Sequence, residues 1–347
     1  LLKVEGYGVR RLAAWLLLTG GLPMRSGQDS SAHILFIKHN HPEIYRDTYK
    51  FLEPKDYLNL RLTGRFAASW ESITLHWVTD NRDINNIRYD DRLLRLATLE
   101  REKLPDLKQA VEVLGTLTAE AAAELGLPGG LPVIMGTPDL HSAAIGSGAV
   151  ADFEPHLYIG TSSWLTCHVP YKKTDLFHNM GSLPAAVPGK YFLVDEQETA
   201  GACLAFLRDN ILYADDPLAR ESRIPDVYPL FDEMVAAAPP GSERVIFTPW
   251  LNGERTPVED SRARGGFHNL SLRTTRAHLI RAVFEGVAYN TRWLRQYVEK
   301  FAGRRMDRIR MIGGGAKSDV WCQIPADVLN RIICQVKHPV EANVRGE

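Results

Sequence analysis

Several things are scarce in this sequence, and each scarcity removes a class of protein. The 347 residues hold four cysteines, Cys167, Cys203, Cys322 and Cys334, scattered and with no C-x-x-C pair. A zinc site or a disulfide framework therefore has no support, and a reducing cytoplasm is the simplest setting. The formal net charge is −1, so no field of one sign draws the chain to nucleic acid or to an anionic membrane. The apolar run at 12–18 is far too short for a bilayer span and lacks a cleavage pattern. Arg304, Arg305, Arg308 and Arg310 are interrupted by Met306, Asp307 and Ile309, which reads as a solvated face. Also missing is an initiator methionine: the chain opens on Leu1-Leu2-Lys3-Val4 and closes on Val344-Arg345-Gly346-Glu347, so we expect a portion of a longer protein.

What is present is an ordinary globular composition, 45% hydrophobic and 24% charged, over a length that suits two domains. Apolar residues nearly all round positions 9–18 predict a buried helix before the turn Gly20-Gly21-Leu22-Pro23. From 30 to 57 the pattern predicts helix, short strand, helix, with Tyr45, Tyr49, Phe51 and Tyr57 as packing aromatics. Further on, Thr118 caps a helix that stops at Gly126, and a strand follows at 132–135. A domain boundary is expected between 149 and 155, giving domains 1–150 and 151–347.

Beyond that boundary, 157–159 and 165–169 suit a hairpin across Gly160-Thr161-Ser162-Ser163, followed by a strand at 191–194 and a helix starting near Gly201. Residues 213–243 read as a surface excursion and 245–247 as a strand. Positions 277–301 carry the clearest helical spacing, through Ile280, Val283, Phe284, Val287, Leu294 and Val298. A strand at 309–312 runs into Gly313-Gly314-Gly315, and a helical pattern resumes over 319–333, with Pro325 in its first turns or kinking it.

Three features carry candidate chemistry. Asp139 follows the strand-like Val133-Ile134-Met135 where a strand hands over to a helix, so it reads as a general base, as an N-cap, or as both. His141 is the rival base and reads more readily as structural. The hydroxyl-rich turn at Thr161 and Ser162 is suited to an anion through its backbone N–H groups, or is a plain hairpin turn. The glycines at 313–315 allow close backbone approach to a ligand at a helix start, or simply a tight turn. They match neither the Walker loop nor G-x-G-x-x-G, which leaves a nicotinamide-dependent oxidoreductase without its fingerprint. Glu254 and Arg255 read as a loop-locking salt bridge, and Glu285 as a buried structural contact.

In order, GTPD, GTSS, AGACLAFLRD, PWLNGERTP, RAVFEGVAYN and GGGAKSDVWCQIPADVLNR resemble the FGGY family of carbohydrate kinases, xylulose kinase-like members above all. The likeness extends back through HPEIYRDTYKFLEPKDYLNLRLTG. It implies an α/β, two-domain ribonuclease H-like (actin-like ATPase) fold with an interdomain cleft. It implies transfer of the ATP γ-phosphoryl group to a sugar hydroxyl, with Mg²⁺. Carried over by motif, Asp139 is the catalytic base, and Leu140 stands where the family often has an amide touching the sugar. Asp139, Leu140 and Met24 are the sugar-side candidates. Gly160, Thr161, Ser162, Gly201, Gly314, Gly315 and Asp319 are the nucleotide-side candidates; no residue is assigned as a metal ligand. The expected partners are a small-molecule sugar and ATP, with no nucleic acid and no membrane, and a homodimer is left open. Two departures stand out: RFAASWESITLHW replaces the family's Asp-Ala-Ser pattern, and the amino-terminal phosphate hairpin of the family lies upstream of everything here. The other reading is a non-catalytic actin-like regulator that binds nucleotide or sugar.

Overall fold

The computed structural model describes residues 3–4, 7–24, 27–214, 216 and 226–346. Its organising element is a seven-stranded sheet in the second half of the chain. The strands are β1 (Pro155–Ile159), β2 (Ser163–Val169), β3 (Thr174–Asp175), β4 (Met180–Pro184), β5 (Tyr191–Val194), β6 (Arg308–Ile312) and β7 (Ile332–Gln335). They lie in the order β3-β4-β5-β2-β1-β6-β7. Strands β1 to β5 pair antiparallel among themselves, whereas β6 runs parallel to β1 and β7 parallel to β6. This is the ribonuclease H-like arrangement that the resemblance implies. All seven residues of β2 are buried, as expected for a central strand covered on both faces.

The helices that cover and flank the sheet are α1 (Asp139–Ser147), α2 (Gly201–Leu207), α3 (Tyr228–Ala237), α4 (Arg276–Ala302), α5 (Asp319–Leu329) and α6 (Ala342–Gly346). The main core forms where Leu157, Ile159, Leu165 and Cys167 of the sheet meet Leu204 of α2, Phe231 of α3, Phe284 and Leu294 of α4, and Trp321 of α5. The helix α4 starts at a capping box between Thr275 and His278 and stops at Gly303, whose φ of 68° ends the helical hydrogen bonding. Glu285 within it is buried and accepts from the Gly241 N–H (2.9 Å), Ser242 Oγ (3.0 Å) and Arg281 Nε (2.7 Å), the structural contact expected.

The first half is built from short helices and strands that pair two at a time, Ala67–Ser69 with Asp106–Lys108 and Val113–Thr116 with Pro132–Ile134. A second core unites Trp15, Leu18, Tyr45, Trp77, Leu93 and Leu104 with Leu183 of β4, so the two lobes share packing. Tyr191 Oη donates to the Asn81 carbonyl at 3.0 Å and Lys172 Nζ to those of Leu16 and Leu17 at 2.9 Å, tying the lobes further.

Four expectations change. The helix Val9–Leu18 buries one face, Leu12, Ala14, Trp15 and Leu18, and leaves Leu17 60% exposed, because a helix lying on one side of a core has one apolar stripe to cover. No strand lies between 30 and 57: Pro42 and Pro54 each start a new helix, giving Ser30–Asn40, Pro42–Asp47 and Pro54–Thr63. The excursion at 213–243 contains α3, whose Phe231 and Val235 enter the main core, while 215 and 217–225 lie outside the described residues. The helix at 319 ends at Leu329, with Asn330 in the left-handed region, and the β-branched Ile332 and Ile333 continue as β7. Among the described residues no helix is long and apolar enough to cross a membrane.

Candidate active site

The first half of the site is the start of α1. Pro138 takes the N-cap position and Asp139 is the first helical residue, one place later than an N-cap aspartate would sit. Its carboxylate is exposed and accepts the Leu140 N–H at 2.8 Å, beside the positive end of the helix. Its carbonyl takes a hydrogen bond from Asn343 Nδ2 at 3.3 Å, so α6 braces the same turn. On the inner side, His141 is buried against Phe192, centroids 4.8 Å apart. His156 and His168 rest on the same phenyl ring. Burial pushes His141 and His156 down to about 3 and His168 to about 4, so all three are neutral around pH 7.

The second half is the turn between β1 and β2. Gly160 N–H donates to Ser162 O at 3.0 Å, closing a tight hairpin that leaves Thr161 exposed. The start of α2 is locked onto this turn: Gly201 N–H donates to Gly160 O (2.7 Å), and the Ala200 and Ala202 N–H groups donate to Thr161 O (2.8 and 3.2 Å). A Cβ on Gly201 would lie 2.5 Å from Gly160 O, so the contact admits glycine alone. The glycines after β6 pack against the same strand end. Gly313 has φ of 87° and a Cβ there would meet Ile159 O at 2.5 Å; Gly315 faces the Ile159 side chain. Gly314 looks into open space. Asp319, the first residue of α5 after the Ser318 cap, is exposed and accepts from Gln335 Nε2 at 3.1 Å.

These pieces converge. The charge of Asp139 acts on Tyr158, the residue before Ile159, and on Glu196, just beyond β5. Burial is the largest influence on Glu196 and raises its carboxyl; Arg255 and the Ser162 hydroxyl oppose that shift, while Glu198 and Asp139 add to it. The Gly160 turn, Gly201 and the Gly313 turn thus meet at the end of β1, and the first turn of α1 reaches the same place through Leu140, in an apolar cluster with Tyr158, Trp164 and Ala342. Met24 lies in the first lobe, where its N–H donates to Asp29, which also holds Trp77 Nε1 at 2.7 Å.

Sequence reasoning passed over Tyr158 and Glu196. Strand alternation was the available signal for the tyrosine: Leu157 and Ile159 enter the core, so Tyr158 must face the other way. The expected Glu254–Arg255 salt bridge is replaced by a different pairing. Arg255 reaches Glu196 and Glu198, whereas Glu254 accepts from the N–H groups of Glu198 and Arg255 (both 2.9 Å) and from Asn290 Nδ2 (2.6 Å). Adjacent side chains on an extended turn point apart, so each finds a partner across the loop. Among the described residues no group of three or more His, Cys, Asp or Glu is placed to hold a metal ion.

Comparison with known proteins fits this geometry. The model of the FGGY family of carbohydrate kinases, C-terminal domain, matches residues 157–347, and that of the N-terminal domain matches 19–146. Xylulose kinase of Lactococcus lactis subsp. lactis (strain IL1403) is 29% identical over 297 residues, covering 86% of this chain and 56% of its own length. Xylulose kinase of Escherichia coli (strain K12) is 30% identical over 318 residues, covering 90% of this chain and 60% of its own. The crystal structure of ligand-bound xylulose kinase from Lactobacillus acidophilus superposes with a TM-score of 0.80 at 25% identity, covering 96% of this chain and 64% of that one. The chain spans between 56% and 60% of the length of these curated relatives. Two matched domain models in sequence order, over an actin-like ATPase fold, establish that the chain belongs to the FGGY family of carbohydrate kinases.

Proposed function

We propose that the protein phosphorylates a sugar hydroxyl with ATP, the acceptor being a pentulose such as D-xylulose, and that Asp139 is the base. One observation carries the reading: the first turn of α1, which bears the exposed Asp139 carboxylate, packs through Leu140 in one apolar cluster with Tyr158 and Ile312, at the ends of the two strands from which the glycine turns depart. In this reading Asp139 takes the proton of the sugar hydroxyl as its oxygen attacks the γ-phosphorus. Gly160, Thr161 and Ser162 line the phosphates, and Gly201, Gly314, Gly315 and Asp319 border the rest of the nucleotide. The names of the relatives support the pentulose. Leu140 and Met24 are kept as sugar-side contacts, and the division between the domains falls near residue 150, in a cytoplasmic protein.

Mg²⁺ fits this donor set. It is commonly held by one or two carboxylates together with substrate phosphates and water, so the exposed Asp139 carboxylate would suit an ion that arrives on the nucleotide. When bound it would neutralise charge on the phosphates.

The test is ATP consumption against a panel of pentuloses by the full-length gene product, with the parent and Asp139→Asn compared. The variant should lose turnover by about a thousandfold while binding ATP within about twofold of the parent. Undiminished turnover in the variant removes the base assignment, and a parent that consumes no ATP with any sugar removes the kinase reading.

A further inference from the structure

Tyr158 stands in the candidate site with no part in the reaction as set out above. Its ring lies against the Trp164 indole of β2, centroids 3.9 Å apart and planes within 9° of parallel. Trp164 is held in turn: its Nε1–H donates to Nε2 of the fully buried His156 at 3.0 Å, and His156 Nδ1 lies 3.2 Å from Thr166 Oγ1. Because burial keeps His156 neutral, an Nε2 that accepts from the indole leaves the proton on Nδ1, which then donates to the threonine hydroxyl. The tyrosine is therefore fixed by a stack whose far side is itself anchored.

What the phenol faces is the junction of the two glycine turns. A Cβ on Gly160 would collide with the Tyr158 hydroxyl, and one on Gly313 would come within 3.0 Å of Tyr158 Cε2. The ring therefore runs between the turn after β1 and the turn after β6. Leu140 and Ala342 close in on the same cluster, and the Asp139 carboxylate is near enough to act on the phenol. Burial, with that negative charge adding to it, raises the phenol above its ordinary value, so the hydroxyl keeps its proton at neutral pH and is a hydrogen-bond donor.

We propose that the Tyr158 hydroxyl, held against Gly160, donates a hydrogen bond to the phosphoryl group in transit beside the Gly160 turn. The proposal rests on the kinase reading above. In the transfer the sugar oxygen forms the new bond to phosphorus, and the bond from phosphorus to the ADP oxygen breaks with its electron pair leaving on ADP. The sugar's proton goes to Asp139, and Tyr158 keeps its own. A donor held in place before the reaction stabilises the charge on the equatorial phosphoryl oxygens without having to reorganise.

Tyr158→Phe keeps the ring and the stack and removes the donor. Calorimetric titration with Mg²⁺–ADP alone, and with Mg²⁺–ADP plus aluminium fluoride as a mimic of the phosphoryl group in flight, separates the two roles without turnover. The variant should bind the fluoride complex at least tenfold more weakly and ADP alone within twofold of the parent. An equal change in both titrations, or no change in either, overturns the role of Tyr158 and leaves the kinase reading standing. A parent that binds neither ligand overturns both.

Discussion

The two lobes solve the same packing problem with different resources. In the second lobe seven strands hydrogen-bond in one sheet, and helices such as α2 and α4 bury that sheet's apolar face, so the glycine turns at 160 and 313 project from a rigid edge. In the first lobe the strand pairs stand apart, and Val113 and Ile134, which face each other across one pair, are 57% and 56% exposed. The lesson concerns the candidate site: its glycine turns rest on a continuous core, whereas Asp139 rides on a helix fed by a half-covered strand. Structural burden and chemical burden are thus unequally shared.

That contrast can be tested by unequal damage. Phe284, 1% exposed at the centre of the second lobe, should cost about 3–5 kcal/mol when replaced by alanine, read as a lower midpoint in urea unfolding. A loss below about 1 kcal/mol would mean that the main core is not where stability resides.

The histidines around Phe192 probe the joint between the lobes, since His141 belongs to α1 and His156 and His168 to the sheet. Their folded values, about 3, 3 and 4, lie below the ordinary 6.5, so the stability from burying neutral rings is complete above pH 6.5 and is lost as pH falls. Each contributes up to about 1.4 kcal/mol per pH unit below that point. The melting temperature should therefore drop between pH 7 and 5, and His168→Gln should flatten the slope; a flat parental profile would rule out the buried neutral trio.

Smallest of all, Ile134→Ala should move stability by no more than about 0.5 kcal/mol, because the side chain is already largely in water. A cost comparable to that of Phe284→Ala would erase the distinction between the lobes.

Much of the second lobe was legible because its local signals agree. The hairpin about the Gly160 turn, the helix through Val283 and Val298, and the strand into Gly313 each combine a clean period with an obvious stop. Where reading failed, context outside the segment decided. Leu17 looks like core by its type, yet the helix has one covered face. Arg255 was given to its neighbour Glu254, when its partners lie some sixty positions earlier, beyond β5. Tyr158 was placed only in a strand, although its neighbours on either side go into the core and it does not.

The order of the motifs by itself pointed, as a resemblance, to the family and to the candidate acid, and local period set most helices and strands of the second lobe, because those depend on near neighbours and on fixed spacings. Only the tertiary structure decided that the turns after β1 and β6 meet at one strand end, that the first turn of α1 packs there through Leu140, and that Trp164 and His156 hold Tyr158 between the turns. The physical reason is that such contacts join residues far apart in sequence, and nothing local encodes which strand will lie beside which until the sheet has formed.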